Sequence, residues 1–264
     1  MTTETENHLR RRIREAALAL VFLTRLPLRL DERTAARPLF DGLWAFPLVG
    51  LVVGGLGGLT LWGAAFLGWH PLASAFAALA SQMILTGALH EDGLADCADG
   101  FGGAFGRDRK LAIMRDSSIG AFGVLALVCV TGLKAGLLAG LPGPGFAALS
   151  LIVAETLSRA LIGLPALVLI QARSDGRASE AGRPKPMAVL AAFALAILTA
   201  FALLPPGPAL LALAGGGLMT LKALLVARWQ IGGVTGDVLG FTQSLAALGV
   251  LALVAMAPYD WWLA

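Results

Sequence analysis

Charge and cysteine are both scarce in this chain of 264 residues. Only 14% of the residues are Asp, Glu, Lys or Arg, about half the roughly 25% of a soluble domain. That shortage excludes an ordinary soluble enzyme and a disordered chain. Twenty Lys and Arg against 17 Asp and Glu leave a net charge of +3, too small and too scattered for a nucleic-acid footprint. The two cysteines, Cys97 and Cys129, have no CxxC spacing, so neither a disulfide scaffold nor a zinc or redox motif is expected. Short alternating strands are missing as well, which excludes an outer-membrane barrel. What the chain has in excess is apolar sequence: 57% of residues are hydrophobic and the mean hydropathy is +0.78.

Runs of 18 or more apolar residues recur, each long enough to cross a hydrocarbon core of roughly 30 Å. They predict an all-α polytopic bundle of seven spans, at about 41–67, 72–90, 119–140, 146–170, 187–204, 208–227 and 239–257. The turn-like connections, such as residues 141–145 and 205–208, carry no Lys or Arg. The other connections hold nearly all the charge: eight Arg in the arm up to Arg37, four basic residues in 91–118 and four in 171–186. The positive-inside rule then places the N-terminus and all charged connections in the cytoplasm. Arg10, Arg11, Arg12 and Arg14 precede a short apolar run, but Arg25 and Arg29 follow at once without an A-x-A site, so cleavage of a signal peptide is not expected. Residues of about 8–26 read instead as an amphipathic helix on the membrane surface. Tyr259, Trp261 and Trp262 read as an outer interfacial anchor. No linker or shift in composition divides the chain. It reads as one integral-membrane domain, with an N-terminal arm over 1–38 and the bundle over 39–264, and its abundant span glycines read as tight helix packing.

Chemistry concentrates in His90-Glu91-Asp92-Gly93-Leu94-Ala95-Asp96-Cys97-Ala98-Asp99-Gly100. Asp92, Asp96 and Asp99 stand at i, i+4 and i+7 and share one helix face. Like charges so placed repel, and a divalent cation neutralises them. Oxygen ligands favour Mg²⁺, Mn²⁺ or Ca²⁺ over zinc. A second polar block runs from Arg107 to Lys110 and on through Arg115 and Asp116. Its bases suit phosphate oxygens, and Asp116 is a further candidate ligand. A third, 232–240, is a glycine-rich turn opening a span, where Gly236 suits phosphate binding at a helix start and Asp237 suits either a metal or a cap. Glu155 and Arg159 form an i, i+4 pair in mid-span, holding each other or reaching a phosphate. Lys134 and Lys222 are expected to snorkel. His90 is either a general base or a hydrogen-bonded helix-end histidine.

Three motifs, Asp-Gly-Leu-Ala-Asp-x-x-Asp-Gly at 92–100, Ile-Met-Arg-Asp-Ser-Ser-Ile-Gly-Ala-Phe-Gly at 113–123 and Gly-Gly-x-Thr-Gly-Asp-x-x-Gly at 232–240, in this order resemble the cobalamin synthase (adenosylcobinamide-GDP ribazoletransferase) family. Phe22-Leu23-Thr24-Arg25-Leu26-Pro27 and Phe46-Pro47-Leu48-Val49-Gly50 fit its N-terminal part. Glu91, Cys97 and the Gln243-Ser244 pair depart from its pattern. The resemblance implies a Mg²⁺-dependent enzyme of the bacterial inner membrane with a cytoplasmic site. It would join adenosylcobinamide-GDP to α-ribazole, or its 5′-phosphate, and release GMP. The candidate catalytic residues are Asp92, Asp96, Asp99 and His90. The candidate substrate-binding residues are Arg107, Lys110, Arg115, Arg159 and Gly236, and the candidate metal ligands Asp92, Asp96, Asp99, Asp116 and Asp237. No nucleic-acid partner is expected, and a homo-oligomer is a possible assembly.

Two rival readings make different predictions. A CDP-alcohol phosphotransferase would also set spaced aspartates at a membrane surface, but its Asp-Gly-x-x-Ala-Arg continuation is missing after Asp99. A cation or metabolite transporter would place its acids near the bilayer midplane, whereas these gather on one side.

Overall fold

The computed structural model describes residues 2–173 and 181–262. Its helices are α1 (Thr2–Leu23), α2 (Glu32–Ala35), α3 (Phe46–Phe66), α4 (Pro71–Thr86), α5 (Leu89–Gly103), α6 (Arg107–Ile113), α7 (Ala121–Ala139), α8 (Pro144–Leu161), α9 (Gly163–Val168), α10 (Pro186–Leu203), α11 (Pro206–Ile231) and α12 (Gly236–Val254). Short 3-10 turns lie at Leu39–Ala45 and Tyr259–Trp262. There is no strand among the described residues, only an isolated parallel bridge between Gln171 and Val234. Helix is what a lipid-embedded chain requires, since each segment then satisfies its own backbone. Proline stands in the first turn of α3, α4, α8, α10 and α11, where its missing N–H costs no hydrogen bond.

Six runs are long and apolar enough to cross a membrane: residues 39–66, 121–139, 144–168, 186–203, 206–231 and 236–254. They agree with six of the seven predicted spans, and the chain is a polytopic membrane bundle. The remaining predicted span, 72–90, falls on α4 and the start of α5, a bent pair that makes a seventh span if the two are taken together. α4 has only 16 residues, about 24 Å at 1.5 Å per residue. The chain then bends through 94° into α5. The elbow consists of Gly87 and Ala88, both left-handed at φ 66° and 55°. α5 then packs against α7 and α12.

α8 and α12 are central, with 78% and 67% of their apolar windows buried, while α7 and α10, at 28% and 22%, are peripheral. Glycine lets the central helices touch backbone to backbone. A Cβ at Gly50 of α3 would lie 2.5 Å from the carbonyl oxygen of Glu155 on α8, and one at Gly54 would lie 2.7 Å from Ile152 Cα. Gly215 and Gly249 form the corresponding contact between α11 and α12.

The N-terminal helix is more firmly docked than a free interfacial helix would be. Leu18, Ala19 and Leu23 pack with Leu39, Phe40 and Leu43. Glu15 is buried and accepts hydrogen bonds from Arg11 (2.8 Å), Arg12 (2.9 Å) and Trp44 Nε1 (2.9 Å). Docking begins at Glu15: residues 8–14, with Leu9 and Ile13, are exposed. At the far end of the chain Tyr259 and Trp261 are exposed as an anchor would be, but Trp262 is buried against Phe146, with ring centroids 4.9 Å apart.

Candidate active site

The first and third sequence motifs meet where α5 crosses the start of α12. The crossing is set by two glycines. A Cβ on Gly93 would lie 2.7 Å from the Asp237 carbonyl oxygen, and one on Gly240 would lie 3.2 Å from His90 Cα. This close approach sets His90 and Asp92 beside Asp237. α12 is capped by Thr235, whose hydroxyl accepts from Val238 N at 3.3 Å. Asp237 is thus not the N-cap. It lies in the first turn, with its carboxylate available to other partners.

A cavity of about 330 Å³ opens at this crossing. Its polar wall carries His90, Asp92, Arg115, Arg173, Thr235 and Asp237, with Gly236 between the last two. The sequence reading had singled out five of these seven, but not Thr235 or Arg173. Arg173 Nη2 donates to Asp237 Oδ2 at 2.5 Å, and Thr235 Oγ1 donates to the same oxygen at 3.2 Å. Two backbone bonds hold Arg173 in place: Ala172 N to Val234 O at 2.9 Å and Val234 N to Ile170 O at 2.8 Å. Arg173 sits in a loop where any base satisfies the positive-inside rule, so its composition alone did not distinguish it.

The three aspartates of α5 share a helix but not an environment. Asp92 is exposed, Asp96 half-buried and Asp99 buried. Asp99 Oδ2 accepts from Gly120 N at 2.7 Å and Oδ1 from Gly123 N at 2.8 Å. The carboxylate therefore satisfies N–H groups that the start of α7 leaves open. A Cβ at either glycine would collide with it, which accounts for the Ile-Gly-Ala-Phe-Gly end of the second motif. Asp96 does not line the cavity but lies within reach of the charges of Asp92 and Asp237. Burial, and after it the charges of Asp92, Asp237 and Asp99, push its carboxyl up to about 7, with Arg173 opposing. Burial, followed by the charges of Arg159 and Lys134, pushes His90 well below its ordinary value, so its imidazole is neutral.

The other candidate residues lie elsewhere. Arg107 donates to the carbonyls of Ile231 (2.9 Å) and Ala172 (2.5 Å), and Lys110 bonds the side chain of Gln230. Both fasten α6 to the end of α11, and neither lines the cavity. Asp116 is exposed and closes its own turn by accepting from Ser118 N at 2.9 Å. Arg159 is 1% exposed and paired with Glu155. Gln243 extends this buried network, donating to Ser158 Oγ at 3.0 Å and to Glu155 at 3.3 Å. Lys134 is also buried, not snorkelling, and shares a small recess with Glu155 and Glu91.

Among the described residues no three of His, Cys, Asp and Glu converge closely enough to share a metal ion. A dedicated all-protein cage is therefore not what this site offers. Mg²⁺ rarely uses one: it takes one or two carboxylates, keeps several waters and completes its shell with substrate phosphates. Asp92 and Asp237, both lining the cavity, are a donor set of that kind.

The fold and this cavity define a polytopic membrane enzyme whose acidic, arginine-flanked site sits at one end of the bundle. The profile of the family described as cobalamin-5-phosphate synthase matches residues 15–255. A curated relative from Bradyrhizobium diazoefficiens, named adenosylcobinamide-GDP ribazoletransferase, is 41% identical over 258 residues, covering 96% of each chain. Relatives of the same name from Mesorhizobium japonicum and Brucella anthropi are each 41% identical, over 92% and 90% of this chain and 93% and 95% of their own. No solved structure matches this chain. The chain belongs to the cobalamin-5-phosphate synthase family, and with it to the transferases of cobalamin biosynthesis.

Proposed function

We propose that this protein joins adenosylcobinamide-GDP to α-ribazole, or its 5′-phosphate, with Mg²⁺, giving adenosylcobalamin, or its 5′-phosphate, and GMP. The observation that carries this reading is the single cavity in which Asp92 and Asp237 face Arg115 and Arg173. A ribose hydroxyl of the acceptor attacks the phosphorus attached to cobinamide. The new P–O bond forms as the bond to the GMP oxygen breaks. Such transfers depend on positioning and charge neutralisation. Arg115 and Arg173 bind phosphate oxygens, and Arg173 exchanges its Asp237 partner for the incoming diphosphate. Asp92 and Asp237 would hold the metal. When bound, Mg²⁺ supplies neutralisation of the diphosphate and of the departing GMP. The hydroxyl proton passes to the acidic cluster, where Asp96 is poised to hold a proton near neutrality. His90, kept neutral, adds no positive charge there and orients the hydroxyl. The basic N-terminal arm and the charged connections support a cytoplasmic orientation for this end of the bundle, and the membrane proposed is the bacterial inner membrane.

The test is GMP release by the detergent-purified protein given both substrates, with Mg²⁺ or with EDTA. Metal-dependent GMP, with a corrinoid product formed in step, is the expected result. No GMP from folded protein with verified substrates overturns the proposal. CMP release from a CDP-alcohol, or solute accumulation in sealed vesicles without chemical change, would point to another activity.

A further inference from the structure

The cavity has two unlike walls. Besides the carboxylates and arginines, its lining has an apolar part made of Phe22, Leu39, Phe40, Phe46 and Ile162. It is assembled from the end of α1, the 3-10 turn at Leu39–Ala45, the first residue of α3 and the residue after α8. Phe40 and Phe46 form its buried floor, with ring centroids 6.3 Å apart and planes tilted by 43°. Phe22 stands at its rim, 38% exposed. The two N-terminal sequence motifs, which begin at Phe22 and Phe46, meet here, and the chemistry of phosphoryl transfer uses neither.

The apolar wall discriminates among the three large parts of the proposed substrates. A cobinamide carries many amide arms, each needing hydrogen-bond partners, and it is far bulkier than a cavity of about 330 Å³, which lies at the small end of the roughly 300–1,000 Å³ of ligand pockets. Guanine presents donors and acceptors along its edges, which a wall of phenyl and aliphatic groups leaves unpaired. The benzimidazole of α-ribazole is flat, aromatic and without an N–H donor once it is attached to ribose. It suits offset or edge-to-face contact with phenylalanine.

We propose that Phe22, together with the Phe40–Phe46 floor, binds the aromatic base of the acceptor nucleoside, so that the N-terminal arm sets which base is joined. This rests on the ribazole-transfer reading above. The corrinoid then stays at the cavity mouth, with only its phosphate reaching the polar wall.

The test compares the wild type with Phe22→Ala and Phe22→Leu, each checked for wild-type elution and melting. Two readouts are taken: binding of α-ribazole alone, followed by benzimidazole fluorescence, and the KM for each substrate in the GMP assay. Phe22→Ala is expected to weaken α-ribazole binding and raise its KM about tenfold, the loss of one aromatic contact. Phe22→Leu, which keeps an apolar rim, should fall between it and the wild type. The KM for adenosylcobinamide-GDP should stay within about twofold in both. An unchanged affinity for α-ribazole, or a rise confined to adenosylcobinamide-GDP, overturns the assignment. Should Phe22→Ala fail to fold, Phe22→Leu and the fluorescence readout decide. A wild type that releases no GMP refutes the transfer reading instead, while a wild type that turns over with indifferent Phe22 variants refutes only this inference.

Discussion

Two groups of charged residues sit in this bundle and behave in opposite ways. In the first, Glu155, Arg159, Gln243 and Ser158 are buried between α8 and α12 and bonded to one another. In the second, Asp92 and Asp237 line an open cavity together with Arg115 and Arg173, Arg173 is paired with Asp237, and Asp96 feels the charges of Asp92, Asp237 and Asp99. The first group is charge-balanced, and its role is to hold two helices in register. The second sets three carboxylates against two arginines, and burial, followed by the crowding of its acids, raises the Asp96 carboxyl to about 7. The contrast shows where ligand chemistry is to be sought: ionised groups at a membrane are costly, and the second group, unlike the first, opens on a cavity.

The sharpest break in this contrast comes from the cavity acids. Asp92→Asn or Asp96→Asn should lower turnover by at least roughly 10³-fold, the loss of a charge aimed at a reacting phosphate and its metal. Melting in detergent should stay unchanged or rise, because repulsion is relieved. Near-normal GMP release from Asp96→Asn would count against its assignment. The balanced pair should show the reverse pattern. Glu155→Gln leaves the Arg159 charge buried without its counter-ion, and about 3–5 kcal/mol of stability should be lost. Residual turnover per folded molecule should remain well above that of Asp96→Asn. If the two variants melt alike, the distinction between the groups fails.

Asp99 offers an intermediate case, a cavity-motif acid that is satisfied within the protein. Asp99→Ala strips the partners from Gly120 N and Gly123 N and should cost about 1–3 kcal/mol. Any loss of activity should follow the loss of fold. A metal-binding titration that changes in Asp99→Ala as much as in Asp92→Asn would instead place Asp99 among the ligands.

Binding of Mg²⁺ should sharpen the comparison further through its pH dependence. Because Asp96 titrates at about 7, it is mostly protonated below that pH and mostly charged above it. A cation requires the charged form. Affinity measured by calorimetry should therefore rise with pH through about 6 to 8 and flatten above. In Asp96→Asn the slope over this window should shrink, and an unaltered slope would assign the proton to another group. The smallest effect is expected at the elbow. Ala88 is a non-glycine residue at φ 55°, and a left-handed alanine costs roughly 1–2 kcal/mol. Ala88→Gly should raise stability by at most about 1 kcal/mol, since glycine also frees the unfolded chain. A fall in melting temperature would show that the Ala88 methyl packs usefully.

Much of the bundle was legible before any coordinates were considered. All seven apolar runs are helical, six of them as unbroken runs with ends within a few residues of those expected, because hydropathy and the need for internal hydrogen bonding are local properties. The α4–α5 elbow was not legible. Leu89 and His90 continue the apolar stretch of 72–90 closely enough, and the sharp bend depends on two consecutive left-handed residues that composition does not announce. The acidic motif and the glycine-rich turn at 232–240 are both readable in the sequence, and the two meet at the cavity. The equal weighting of Asp92, Asp96 and Asp99 was less informative. Helical spacing puts them on one face, but it says nothing of the N–H groups of Gly120 and Gly123 that engage Asp99. Arg107 and Arg173 show the same limit from the basic side: both are loop arginines in sequence, yet one clamps backbone carbonyls and the other faces Asp237.

The sequence by itself determined that this protein is a membrane bundle with carboxylates clustered at Asp92–Asp99, because transfer from water to lipid and the repulsion of like charges depend on residue type and spacing alone. Only the tertiary structure decided which of those charges remain open to a ligand. Whether a carboxylate or guanidinium is already satisfied depends on donors and acceptors brought from distant parts of the chain. Gly120 for Asp99, Ile231 for Arg107 and Asp237 for Arg173 become partners only once the helices have packed.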